Sequence, residues 1–456
     1  VISIVSALLK PKEEMVPMGS LQAQSIHFQY AIYYLPLPSS DPSPLLPLLL
    51  ADAKHWLTVA DSMREAPDDP LVHAYHCDKV KEKYAPPDVE YLRLSGRGLT
   101  RGQAEKLQKC ERAFIMDFGH PGGKVWEALE TANRVAELLA RETGGLLWDE
   151  QTREVFTPDE WHRRRVASWT APIPEVWCHT TIHTYQPDKT VRAITLGMSK
   201  FGLPDVVIED FSWSMERGMG NVINLFCQFM AEGAVVKESG AFDLDLRALK
   251  DKKLRDREMK SLQSNATAVA LLTLKKGKWE KGDPHNRLIE IAFDRYSGSD
   301  VHARQEQMLC SLFGSEDKII RVRHDERLLA ASETAKAKLP LLYEAFTTGL
   351  EPGEFILVKA PFATIYCGYE WMWVEVTTWK GNQLKGILKN EPFDIPTLHA
   401  GQPVELKQED VFDYVRHYRD GREEGNETGA IIEKMQRRSG KQRNRRGHAR
   451  RRRDTA

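Results

Sequence analysis

At Glu354 the hydrophobic pattern of this chain changes period, and that change limits the fold more than any other feature. Upstream, apolar residues recur at helical spacing, as in Val125, Leu129, Ala132, Val135, Leu138 and Leu139. Downstream they alternate. Phe355–Ala360, Trp371–Trp379, Gln383–Leu388 and Pro403–Leu406 read as short strands, and Lys380-Gly-Asn382 is a hairpin turn signal. Such a run of strands makes a compact antiparallel, barrel-like module. Trp371, Trp373, Glu375 and Trp379 share one strand parity, and Met372, Val374 and Val376 share the other. Both faces are then apolar, which suits a central strand whose tryptophans pack on the preceding helix, 325–346.

Upstream, the expectation is a mixed α/β domain over 26–282. Ile26–Leu35 reads as a strand, and Pro36–Pro47, with five prolines, reads as a loop. Val89–Leu94 reads as a strand and Thr100–Arg112 as a helix. Ala113–Phe118 is another strand, and Gly144-Gly145 ends the helix over 125–141. Thr157-Pro-Asp-Glu160 is a capping box. Val176–Tyr185, Val191–Gly197 and Asp205–Phe211 read as strands, Met215–Met230 and the charged run Leu244–Lys260 as helices. A boundary is expected at Gly282–Asn286. A strand-helix-strand-helix unit follows: Arg287–Phe293, a helix capped by Asp300, Lys318–His324, and a helix from Asp325 that Pro340 should kink and Gly349 should stop. Asp410–Tyr418 reads as a short helix. The fold class is α+β. The chain divides into a lead-in over 1–25, the domain 26–282, a domain 286–420 containing the β-module 355–415, and a disordered basic tail over 421–456.

Composition excludes wholesale disorder and a disulfide scaffold, because hydrophobic residues make up 41% and charged residues 28%. The net charge of −1 conceals an asymmetry. Residues 436–456 hold ten Lys or Arg and one acid; taking these from the totals of 64 and 65 leaves 54 basic and 64 acidic side chains before them. Phosphate binding needs clustered cations, so only the tail (Arg443, Arg445, Arg446 and Arg450, Arg451, Arg452, Arg453) suits weak nucleic-acid contact. The six cysteines lie at 77, 110, 178, 227, 310 and 367, without zinc-ribbon spacing. Scattered thiols suit a reducing cytoplasm. Apolar runs fall short of the ~20 residues that span a membrane. The chain opens on Val1 rather than Met, so its native start could lie upstream and secretion stays open. Val1–Leu9 is apolar, but Lys10–Glu14 follow without a small-residue cleavage pattern.

The segment 355–415 resembles the bacterial YegJ-type family, domain of unknown function 2314. The residues that carry this are Lys359-Ala-Pro-Phe362, Glu370-Trp-Met-Trp-Val374, Leu384-Lys-Gly-Ile-Leu-Lys-Asn390, Pro392, Leu398, Gly401, Val404 and Asp410-Val-Phe-Asp-Tyr414. Tyr414 stands where Trp is the commoner residue. Ala140–Asp149 and Leu196–Asp205 are similar to domain of unknown function 4261, over about 113–235. Neither resemblance supplies a catalytic residue; the company such domains keep implies a binding role by analogy.

Signatures of common enzymes are missing: no phosphate loop, no H-E-x-x-H, no nucleophile elbow, and no G-x-G-x-x-G after a strand. His73, His76, Cys77 and Asp78 are metal-ligand types at dense spacing. Cys178, His179 and His183 are read on one strand, where the two histidines stand about 13 Å apart at 3.3 Å per residue, too far to share one metal. Within the recognised motifs, Lys359 and Glu370 could pair across adjacent strands. Lys359, Glu370, Trp371, Trp373, Glu375 and Asn390 form the candidate ligand-binding set. The reading is an uncharacterised bacterial protein, a non-catalytic protein- or ligand-binding module with a possible protein partner and no membrane association. No cofactor is expected. The alternatives are a metal-dependent hydrolase using His73–Asp78 or His179/His183, and a nucleic-acid-associated protein working through the tail.

Overall fold

The computed structural model describes residues 21–52, 57–187, 190–263, 265–298, 300–314, 326–363, 369–392, 395–429 and 431. The expected strand over 318–324 and the arginines 443–453 of the expected tail lie outside them. The disordered tail expected over 421–456 is corrected at its start: Glu423–Gly425 is a strand paired with Val415–His417, and Thr428 is buried with its hydroxyl and amide on Asp413. The described residues form helices and three sheets, an α+β arrangement. Among them no helix is long and apolar enough to cross a membrane.

The first sheet is centred on Ser25–Tyr34, which pairs antiparallel with Arg112–Pro121 and with Leu146–Asp149. Helix Val125–Thr143 covers one face with Leu129, Ala132, Val135 and Leu139, all fully buried. It stops where Gly144 adopts φ +73°, a left-handed conformation that glycine reaches without a Cβ penalty. The Thr157 hydroxyl accepts the Glu160 amide at 3.3 Å and caps the helix, but the reciprocal half of the expected capping box is not made: the Thr157 amide bonds to the Arg97 carbonyl and the Glu160 carboxylate takes Arg163 and Arg164. Two local readings are corrected. Val89–Ser95 is a helix, because Asp88 accepts the Tyr91 amide and caps it. The proline run also supports a helix, Pro42–Asp52: Pro42 and Pro44 stand in its first turn, where the missing amides have no partner anyway, and Pro47 lies inside it at the cost of one helical hydrogen bond.

The second sheet runs in the order Ala241–Asp245, Val269–Lys276, Leu288–Ala292, Asp205–Phe211, Val191–Leu196, Thr181–Tyr185. Helices Glu216–Ala231 and Val301–Phe313 pack on it, and one continuous core joins this layer to the first sheet. The sheet does not change at 282–286. Leu288–Ala292 inserts between Asp205–Phe211 and Val269–Lys276, so 282–286 is the tip of a hairpin within the second sheet. The charged stretch 244–260 splits into strand Ala241–Asp245 and helix Lys252–Ser261, separated where Asp251 caps the helix. Asp300 caps Val301–Phe313 through the Ala303 amide.

The third sheet has its own core. Its order is Pro403–Lys407, Gln383–Leu388, Tyr369–Lys380, Phe355–Ala363, Asp413–His417, Glu423–Gly425, all antiparallel, and among the described residues the two end strands do not pair to close a barrel. Asp413–His417 is a strand, not the expected helix; its register with Phe355–Lys359 buries Tyr414. Helix Glu326–Thr348 runs past Pro340, and Ala335, Leu339 and Leu342 face this core. Gly349 follows it at φ +109°.

The tryptophan stripe is not the core. Met372, Val374 and Val376 face the helix and are buried, whereas Trp371 and Trp373 are half-buried on the other face. Trp379 joins the buried side because the ladder with Gln383–Leu388 slips one residue between Val376 and Thr378. A bulge of one residue reverses every side chain beyond it.

Candidate functional site

The three sheets meet around a cleft of about 1020 Å³. One wall is the edge strand Thr181–Tyr185, whose five residues all line the space and are all half-buried. Tyr91, Arg97 and Glu154 come from the first layer; Gly353, Glu354, Phe355, His417 and Arg419 come from the third sheet and its approach.

Local rules place the groups on these walls. Helix Glu216–Ala231 begins beside the edge strand, so Glu216 meets the Thr184 hydroxyl in a hydrogen bond. Burial raises the Glu216 pKa, opposed by that hydrogen bond and by the charges of Arg419 and His417. Gly353 has φ +88°, and a Cβ there would lie 3.8 Å from Arg419 Cγ and 3.9 Å from Glu216 Oε2. A Cβ would meet this pair only at ordinary contact distance, so the left-handed backbone, and not the space, is what calls for glycine here. Phe355 stacks on the His417 ring at 4.8 Å. Burial lowers the His183 pKa, and Arg153 and Arg97 add to that; its ring meets Tyr91 edge-on at 6.4 Å.

Five carboxylates line the space (Glu154, Glu216, Glu351, Glu354, Glu375) against two guanidinium groups, Arg97 and Arg419. Several are already engaged. Glu154 accepts Arg97 Nε at 2.6 Å and Arg165 Nη2 at 3.3 Å. Glu354 accepts Arg416 Nη2 at 3.2 Å. Glu375, 3% exposed, takes the Ser214 hydroxyl and amide just before helix Glu216–Ala231.

Of the expected ligand-binding set, only Glu375 lines this cleft. Trp371 packs on Phe412 at 4.4 Å, and Lys359 Nζ lies 5.5 Å from the Trp373 ring centroid. Burial lowers the Lys359 pKa, and Asp413, opposite it in register, pulls the other way. The expected Lys359–Glu370 pair is not aligned: the ladder puts Lys359 opposite Trp373 and Glu370 opposite Phe362. Asn390 Oδ1 accepts the Trp373 amide at 2.7 Å, which extends the sheet beyond its last paired residue.

The two histidine clusters are also dispersed. His73, His76 and Cys77 occupy strand Leu71–Cys77, where alternation sends His73 and His76 to opposite faces. His73 contacts the Ala60 carbonyl, His76 bonds to Asp41, and Asp78 pairs with Arg112. Cys178 closes a 3₁₀ turn, Val176–Cys178, so it shares no strand with His183. His179 is fully buried. Among the described residues no group of three or more His, Cys, Asp or Glu is placed to hold a metal ion.

The sequence reading missed Glu216, Gly353, His417 and Arg419. A glycine set between two acids, Glu351-Pro-Gly353-Glu354, was the one local signal; the rest depends on which elements meet.

Several motif residues of the third sheet serve docking. Lys389 Nζ meets Glu306 Oε1 at 2.5 Å, both largely shielded. Gly401, at φ +86°, sits against helix Val301–Phe313; a Cβ would stand 2.4 Å from the Ala303 amide nitrogen. Residues 325–448 match the model of a family described as an uncharacterised protein conserved in bacteria, domain of unknown function 2314. The match reaches back into the long helix that covers the third sheet's core. No curated protein and no solved structure matches the chain.

Proposed function

We propose that this chain is a binding protein whose ligand enters the cleft between the three sheets and leaves unchanged. The observation that carries the reading is that three of the cleft's five acids are committed. Glu154 and Glu354 face arginines, and Glu375 holds Ser214. A general acid or base must instead reach a proton on the substrate. The volume, about 1020 Å³, is at the upper end of small-molecule sites, which run to roughly 1,000 Å³. The matched family in the C-terminal part carries no assigned reaction.

The test is a thermal-shift screen of metabolites and short peptides, followed by mass spectrometry of each stabilising compound. Binding to the folded state alone raises stability with ligand concentration. A hit should be recovered intact at one per chain. It should be lost in Leu350→Trp and in Thr181→Trp, which add bulk to the cleft from two different segments. Recovery of a chemically altered compound would establish an enzyme instead.

A further inference from the structure

We propose that strand Thr181–Tyr185 is a docking edge, and that an extended basic peptide segment of a partner protein adds to it as a seventh strand of the second sheet. This rests on the reading of the cleft as a binding site and names the class of its ligand.

Three independent observations point to it. First, Thr181–Tyr185 ends the hydrogen-bonded order of its sheet, with Val191–Leu196 as its one strand partner among the described residues. In an edge strand every second residue turns its amide and carbonyl outward. Here they turn toward the cleft, since all five residues line it. Second, the edge lacks the devices that blunt exposed edges, namely proline, lysine and a bulge. Its sequence is Thr-Ile-His-Thr-Tyr, and its ladder runs five residues without a register shift. The opposite edge, Ala241–Asp245, carries Asp243 and Asp245, which pair with Arg295 and Arg247. Third, while Glu154, Glu354 and Glu375 are engaged elsewhere, Glu216 is the acid of the cleft that meets this strand, through the Thr184 hydroxyl. Thr184 lies on the face that meets Glu216, and Ile182 shares it, its Cδ1 3.8 Å from where a Cβ on Gly220 would stand.

Cross-strand neighbours on one face interact directly. The incoming residue opposite Thr184 therefore projects toward Glu216, and a lysine or arginine there would meet its carboxylate. Main-chain hydrogen bonds would supply affinity, and the alternate side chains would supply specificity.

The probe is a capped octapeptide of alternating valine and lysine, followed by fluorescence anisotropy with the full chain. Two further peptides carry backbone N-methyl groups on one or the other alternate set of residues. One set faces Thr181–Tyr185 and the other faces away, so one N-methylated peptide should bind at least tenfold more weakly and the other like the parent. Replacing lysine by glutamine in the peptide should weaken binding severalfold, and Glu216→Gln should erase that difference. Equal binding of both N-methylated peptides, or a glutamate peptide binding as well as the lysine one, overturns the proposal. So does concentration-dependent dimerisation that Thr181→Pro or Thr184→Pro abolishes, because a second copy would then occupy the edge. If no peptide binds but a small molecule does, and Leu350→Trp removes it, strand addition fails while the cleft reading stands. If nothing binds, both fail.

Discussion

Glu375, in the third sheet, accepts the backbone amide of Ser214 at 3.4 Å and the Ser214 hydroxyl through its other oxygen. A carboxylate from one core thus holds the entry to a helix of another, where unpaired amides and the helix dipole favour negative charge. The groups that shape the cleft are positioned by this contact, because Glu216 begins that helix.

Glu375→Ala leaves the Ser214 donors without their acceptor. A cost of about 1–3 kcal/mol is expected, read by urea denaturation. Hydrogen exchange at the Ser214 amide should accelerate in parallel. Unchanged exchange would show that the contact does not hold the two units together.

Gly401→Ala places a methyl against the His302–Ala303 backbone and also strains a left-handed residue. Gly381→Ala, at φ +55° with open space around it, carries only the conformational cost, roughly 1–2 kcal/mol. Gly401→Ala should therefore destabilise by clearly more than its control. Equal losses of thermal stability would mean that the helix yields freely.

Arg165 is fully buried between Asp149 and Glu154, and Lys200 shares the same oxygen of Asp149. Removing the guanidinium leaves two buried carboxylates with less countercharge. Arg165→Met should cost about 3–5 kcal/mol. Arg97→Met, whose side chain is part-exposed on the cleft side of Glu154, should cost less. Chemical denaturation of both variants checks the order.

Acid should weaken the fold partly through His120. The ring is fully buried, and burial depresses its pKa to about 4. Its contribution is present above the ordinary histidine pKa of 6.5 and is lost as pH falls through about 4. The limit is on the order of 3 kcal/mol. Asp205 works against it: burial raises its pKa to about 6, so its contribution is present below 3.8 and is lost as pH rises through about 6. The difference between the wild type and His120→Gln isolates the histidine. That difference should shrink from pH 7 to pH 4 in denaturation experiments, and a constant difference would contradict it.

The local elements were legible where one short stretch carries the whole instruction. Gly144 could be read as a helix stop and Thr157 as a cap, because the atoms that satisfy these ends lie within four residues. The family resemblance was legible for a similar reason, since its motifs are contiguous. Val89–Ser95 was misread because apolar residues in a short run fit a strand or a helix equally, and only the Asp88 cap decides between them.

What the sequence determined by itself was the α+β class, the switch to alternating strands after Glu354, and the caps that bound individual helices. Tertiary structure alone decided that Leu288–Ala292 inserts into the second sheet, that one extra residue near Thr377 turns Trp379 inward while Trp371 and Trp373 stay outside, and that the edge strand Thr181–Tyr185 lines a cleft with Glu216 beside it. The reason is range. Caps and periodicity act within one element, whereas sheet order, register and the space between layers are fixed by contacts between elements, from neighbouring strands of a hairpin to strands more than eighty positions apart, which no pattern within one element encodes.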